Sequence, residues 1–285
     1  MLVYLGQPRH NDPVRPWKHF PVDGVMISAY HLLSSRMKAL RCESTGLRDL
    51  LDFDGTIFLD SGGYQALRGY RLTYTPERLA RFAKNCGVDY VISLDFPPIR
   101  LSSDLKKLAK RNVANYVAMM RVFDRVVPAI HAPIRLAELE LNLLEKFPVD
   151  YVALGGLVPS LRSAMNLTFR TIEYVHRRIG AKRLHLLGFA APKAGRQYLR
   201  LAYSLDYGGW RTAAATGYLL LPEGYRKVTW RNKLGHAAKP TDEEKRLITK
   251  ICDDIKLREE DLTTLFWARA IFNAFVATQI LKTNF

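Results

Sequence analysis

Cysteine is scarce in this chain. Its 285 residues include only Cys42, Cys86 and Cys252, an odd number too widely spaced for a disulfide framework or a cysteine-based zinc site. A reducing, cytoplasmic setting is therefore expected, with no metal and no cofactor. Long apolar runs are also missing: none approaches the ~18 residues of a membrane-spanning helix. The amino terminus lacks the basic-then-apolar pattern of a signal peptide, so a membrane is not an expected partner. There is no repeat of about 20–50 residues, which excludes solenoids, and no glycine-rich phosphate motif. Acidic residues are in deficit, with 27 Asp and Glu against 43 Lys and Arg, for a net charge of +16 and a pI near 9.8. Such a surplus suits a polyanion held by phosphate neutralisation and counterion release, nucleic acid first and an anionic surface second.

What is present is apolar residue, 48% of the chain, enough to fill a sizeable core. From Leu51 to Leu205 short apolar runs alternate with longer stretches of helical spacing, the pattern of repeated βα units. The strand candidates are Thr56–Leu59, Tyr90–Leu94, Val126–Ile130, Tyr151–Leu154 and Arg183–Leu187, with weaker ones at Leu2–Leu5, Val25–Ser28 and Ser204–Leu205. Between them, Thr75 caps a helix whose first turn takes Pro76 and whose stripe of Leu79, Phe82, Ala83 and Cys86 ends at Gly87. Further helices are expected from about Asp104, over Leu136 to Phe147, after Pro159, and from about Glu259 to Leu281. Eight βα units in this length describe an α/β fold of the (β/α)₈ TIM-barrel type, a single domain over residues 1–285. An open doubly wound sheet is the alternative. Between Leu220 and Glu243 the pattern fails, and Pro222, Gly224, Gly235 and Pro240 suggest an irregular basic loop or insertion at about 220–243.

In a (β/α)₈ barrel the active site lies at the carboxyl ends of the strands. The polar or glycine residues expected there are Asp60, Asp95, His131, Gly155, Gly156, Gly188 and Asp206. Each acid alone could merely cap a helix. Three at one mouth would make a reaction centre.

The segment Asp60-Ser61-Gly62-Gly63-Tyr64-Gln65 resembles the Asp-Ser-Gly-Gly-Phe/Tyr-Gln signature of the tRNA-guanine transglycosylases. Ser28-Ala29-Tyr30-His31-Leu32, Leu94-Asp95, Ala153-Leu154-Gly155-Gly156-Leu157 and Leu187-Gly188 with Pro192 resemble further segments of that family in the same order, over roughly residues 20–217. The resemblance implies a barrel that binds a flipped nucleobase and exchanges guanine through a covalent aspartyl intermediate. Asp206, within Ser204-Leu205-Asp206-Tyr207-Gly208-Gly209-Trp210, is then the expected nucleophile and Asp60 the general acid/base. A carboxylate suits the first role because it is ionised at pH 7, captures an oxocarbenium-like centre and can leave again. Asp95 is expected to accept hydrogen bonds from the Watson–Crick edge of the base. The Gly156 amide would donate to the ring carbonyl and Tyr64 would stack on the base. Ser61, Gln65, Gly155 and Gly188 complete the expected base site, as does His131, which stands where the family commonly has Gln and for which a structural histidine is the alternative.

One departure concerns metal. The bacterial and eukaryotic tRNA enzymes carry Cys-x-Cys-x-x-Cys and a later His, whereas this chain has only Cys252 in that region. The archaeal enzymes' added RNA-binding modules have no counterpart after the barrel either. These differences favour the branch of the superfamily that inserts 7-deazaguanines into DNA. DNA is thus the expected partner and tRNA the alternative, with a free base such as 7-cyano-7-deazaguanine and companion modification proteins. Arg226, Lys227, Trp230, Arg231 and Lys233 interleave cations with an aromatic and are expected to contact nucleic acid, together with Trp210 and Arg211. A different class is a non-catalytic nucleic-acid-binding relative; retention of Asp60, Asp95 and Asp206 argues against it.

Overall fold

The computed structural model describes residues 1–7, 11–98, 104–157, 164–189, 195–228 and 240–282. Nine strands form one sheet: β1 Leu2–Gln7, β2 Gly24–Ser28, β3 Thr56–Asp60, β4 Tyr90–Ile92, β5 Val126–Val127, β6 Ala129–His131, β7 Tyr151–Gly155, β8 Arg183–Leu186 and β9 Ser204–Tyr207. Their order is β5-β4-β3-β2-β1-β9-β8-β7-β6, and every pair with a described register is parallel. The two ends of this sheet are one strand. β5 and β6 are separated only by Pro128, which has no N–H to give to the ladder, while its carbonyl still accepts from Ala153 at 2.9 Å. Counted that way, eight parallel strands wrap into a nearly closed barrel, all eight at the positions expected from the apolar runs. The open doubly wound sheet is excluded.

The strands read as continuous apolar runs because both of their faces are covered. Tyr4, Met26, Phe58, Ile92, Val127, Ala129, Tyr151 and Ala153 fill the interior. Outside, helix Pro76–Asn85 is capped by the Thr75 hydroxyl, which accepts from Arg78 N at 3.2 Å, and ends before Gly87 at φ +68°. Helix Leu105–Met120 starts at Asp104, whose carboxylate accepts from Lys107 N at 3.0 Å. Helices Ile134–Leu144 and Met165–Ile179 follow the next two strands.

Contacts group the chain into two compact units. Residues 1–11 and 23–206 hold the barrel, and residues 12–22 and 207–285 form the second unit. In the second, two expectations are corrected. The stretch from 220 to 243 is not irregular throughout: Tyr218–Leu221 (β10) and Gly224–Lys227 (β11) form an antiparallel hairpin, with Pro222 and Gly224 at its turn rather than in a long loop. Helix Asp242–Asp254 begins at a capping box between Thr241 and Glu244. The terminal helix is two, Glu259–Thr264 and Phe266–Lys282, because Leu265 is extended. Buried Asn273 ties this unit together: it accepts from Leu220 N at 2.7 Å and donates to the carbonyls of Tyr218 and Trp210. Among the described residues, no helix is long and apolar enough to cross a membrane.

Phe58 sits at the centre of the barrel's ring packing, with Tyr90 at 4.9 Å, Tyr4 at 5.0 Å, His185 at 5.4 Å and Tyr151 at 5.8 Å between centroids. Phe58→Ala should cost about 3–5 kcal/mol through lost burial and the cavity left behind. Urea unfolding measures this; a loss under 1 kcal/mol would mean that the interior is not packed around this ring.

Candidate active site

The barrel's strand ends deliver the acids. Asp60 is the last residue of β3 and lies in register with Ser28 at the end of β2. The Gly62 amide donates to its Oδ2 at 3.3 Å. Burial acts on Asp60 first, and the negative charges of Asp95 and Asp206 add to it; together they push its carboxyl up to about 7. Asp60 ends β3, Asp95 follows β4 and Asp206 lies in β9, so the parallel strands bring the three acids to one side of the barrel. Asp206, on β9, is held from another side. The Gly188 amide donates to its Oδ1 at 2.6 Å, and the ring Nε2 of buried His185 lies 3.4 Å from the same oxygen.

Asp95 is buried and more tightly held. Ser61 Oγ donates to its Oδ1, and His131 Nε2 lies 2.8 Å from its Oδ2. Gly63 shows how closely the chain passes: a Cβ there would overlap the Asp95 carboxylate. Gly62 adopts φ +91°, a conformation a side chain would strain, so the paired glycines have separate reasons. The Gly63 amide returns to Ser61 Oγ at 3.1 Å, and Tyr74 donates to the Ser61 carbonyl at 2.6 Å. Burial, Asp60 and Asp95 together raise the Tyr74 phenol far above its ordinary value, so it remains a donor.

His131 needs correction. It was expected among groups facing the base, but it is fully buried behind Asp95. Its Nδ1 lies 3.0 Å from Glu140 Oε1, its backbone amide donates to Glu140 Oε2 at 2.7 Å, and Asn112 donates to Glu140 Oε1 at 2.8 Å. Burial opposes a charge on the ring, yet Glu140 and Asp95 outweigh it and push the imidazole up to about 10. Gly155 is buried against this ring, where a Cβ would meet His131 Cδ2 at 3.3 Å. Gly156 adopts φ +73°, and a Cβ there would lie 3.4 Å from the Ala132 carbonyl. Gln65 lies with Oε1 3.5 Å from Ser28 Oγ, and Tyr64 is 45% exposed, its hydroxyl accepting from Arg68 at 3.4 Å.

The residues expected to contact nucleic acid lie in the second unit, and several are already engaged. Trp210 is fully buried and presents no face for a base. Arg211 pairs with Asp12 at 2.5 Å, and Arg226 Nε donates to Glu244 at 2.8 Å. Lys227 Nζ lies 5.7 Å from the centre of the Tyr218 ring. Trp230, Arg231 and Lys233 lie outside the described residues. No group of three or more His, Cys, Asp or Glu suited to a metal occurs among the described residues.

No family model matches the chain. It is 27% identical over 153 residues to the tRNA-guanine(15) transglycosylase of Nanoarchaeum equitans, covering 52% of this chain and 36% of that protein. It is 26% identical over 205 residues to the queuine tRNA-ribosyltransferase of Dehalococcoides mccartyi (62% and 52%), and 23% over 233 residues to the tRNA-guanine(15) transglycosylase of Haloferax volcanii (77% and 43%). The chain is thus similar to proteins named tRNA-guanine transglycosylase and queuine tRNA-ribosyltransferase. It spans about half the length of these relatives or less.

The raised Asp60 carboxyl has a consequence for stability. Between its unfolded value of about 4 and its folded value of about 7, the fold holds a proton that the unfolded chain releases, so stability falls as pH rises through that window. Asp60→Asn removes the penalty. Its gain over the unsubstituted chain should be larger at pH 8.5 than at pH 4.5, by roughly 1–3 kcal/mol after allowance for partial exposure. Denaturant unfolding at the two pH values measures it, and equal gains would mean that Asp60 is not crowded by the other acids.

Proposed function

We propose that this chain is a glycosyltransferase that exchanges guanine in a nucleic acid for a free guanine-like base. The reading is carried by one observation: carboxylates at or just beyond the carboxyl ends of three parallel strands lie on one side of the barrel, where those of Asp95 and Asp206 raise the Asp60 carboxyl. In it, Asp206 attacks the anomeric carbon, the carbon–nitrogen bond to guanine breaks, and Asp60 gives the departing base its proton. The incoming base then loses a proton to Asp60 and displaces Asp206, so two inversions retain configuration. A carboxyl near 7 suits both proton transfers at neutral pH. The Gly188 amide aims Asp206 at one place, and Asp95 would receive the Watson–Crick donors of the base.

The polynucleotide is tRNA in the reading that the relatives favour, since each carries tRNA in its name. DNA, the first expectation from the sequence, finds no support among them. It is retained as a second reading on one observation: the three cysteines contain no Cys-x-Cys-x-x-Cys set. A 7-deazaguanine as incoming base belongs to the proposal in either case.

Labelled guanine offered with tRNA in one arm and duplex DNA in the other should enter tRNA. Entry into DNA alone would reverse the choice of substrate, and entry into neither would overturn the reading. Asp206→Asn should abolish exchange, and Asp60→Asn should slow it about 10²–10⁴-fold. Because Asp60 must be protonated to release guanine, kcat/KM should fall above a pH near 7, the value held by its carboxyl. A profile flat from pH 6 to 9 would remove Asp60 from the acid role.

A further inference from the structure

The acid that would read the base is itself read from behind. Asp95 Oδ2 meets His131 Nε2 at 2.8 Å, and His131 Nδ1 meets Glu140 Oε1 at 3.0 Å. Glu140 is fully buried and takes two further donors, the His131 amide at 2.7 Å and Asn112 Nδ2 at 2.8 Å. These two are fixed donors, one to each carboxyl oxygen, and a carboxylate receives both together with a ring N–H. An ionised, buried Glu140 requires a compensating charge. The ring between the two acids supplies it: only an imidazole carrying both protons can donate to Glu140 and Asp95 at once. No other titratable side chain is described within hydrogen-bonding distance of this ring.

The consequence falls on Asp95. One of its oxygens accepts from His131 and the other from Ser61, which leaves its remaining lone pairs as acceptors and gives it no proton of its own to offer. We propose that His131, anchored by Glu140, is a positioning residue that fixes Asp95 as a pure hydrogen-bond acceptor and thereby restricts the pocket to bases presenting two adjacent N–H donors. This rests on the transglycosylase reading of the site. A ring N–H beside an exocyclic amine, as in guanine and its 7-deaza analogues, meets the requirement. Hypoxanthine offers the first donor without the second, and adenine places an acceptor between ring and carboxylate. Gly155 belongs to the same device, since a side chain there would press on the His131 ring. The family's usual Gln could give Asp95 one amide donor but carries no charge with which to hold it ionised.

The test separates the device from the chemistry. Nitrogen-15 NMR of the unsubstituted protein, with the His131 ring assigned through His131→Gln, should show both ring nitrogens protonated at pH 7.5. A neutral ring overturns the proposal whatever the activity. Calorimetric titration with guanine and hypoxanthine then reads specificity. The unsubstituted protein should prefer guanine, and His131→Gln and Glu140→Gln should each reduce that preference about tenfold or more, as expected for a weakened charge-assisted hydrogen bond. They should weaken guanine binding and raise KM for the base more than they lower kcat. An unchanged preference in both variants, each folded by circular dichroism, overturns the proposal while leaving base exchange intact. If the unsubstituted protein binds no guanine although His131 is doubly protonated, the transglycosylase reading fails, and with it the specificity assigned to His131.

Discussion

Three carboxylates at one barrel mouth repel one another, and much of the surrounding structure answers that repulsion. Parallel strands all end on the same side, so acids placed at strand ends are forced together whatever their distance in sequence. Each is handled differently. Asp95 is buried against the His131 ring, Asp206 is held by a backbone amide, and Asp60 has its carboxyl pushed up to about 7. Three similar side chains thereby stand in three different environments, and in the proposed reaction they serve as acceptor, nucleophile and acid.

The barrel could be read from the sequence because its strands are apolar on both faces and its helices carry ordinary punctuation, such as Thr75, Pro76 and Gly87. The convergence of Asp60, Asp95 and Asp206 followed from that topology. The supports of these acids are not legible in the sequence. Glu140 interrupts the apolar face formed by Leu136, Leu141 and Leu144 on helix Ile134–Leu144, and Asn112 shares the buried face of its own helix with Val113 and Tyr116. A polar residue on a stripe destined for burial signals a buried partner, but periodicity does not say which one. His185 is hidden for the same reason, lying inside a short apolar strand where only the fold places its ring beneath Asp206.

The basic, aromatic-bearing segment after the barrel was harder to judge because charge in a sequence does not reveal its partner. Arg211 and Arg226 are bound to carboxylates of their own unit, and Trp210 forms part of its core. The hairpin at residues 218–227 is hidden in the sequence because Pro222 and Gly224, both breakers by type, stand at its turn. The surplus of positive charge remains a property of the whole chain and fits a polyanionic substrate, whichever residues meet it.

In the proposed reaction the crowded acids enclose one sugar–base bond and Asp206 takes the sugar. Incubation with tRNA without added free base, followed by denaturation, nuclease digestion and mass spectrometry of peptides, tests it most directly. A nucleotide-sized adduct on the peptide containing Asp206, lost in Asp206→Asn, is the predicted result. Guanine release with no adduct on any peptide, or an adduct on Asp60 instead, would contradict it.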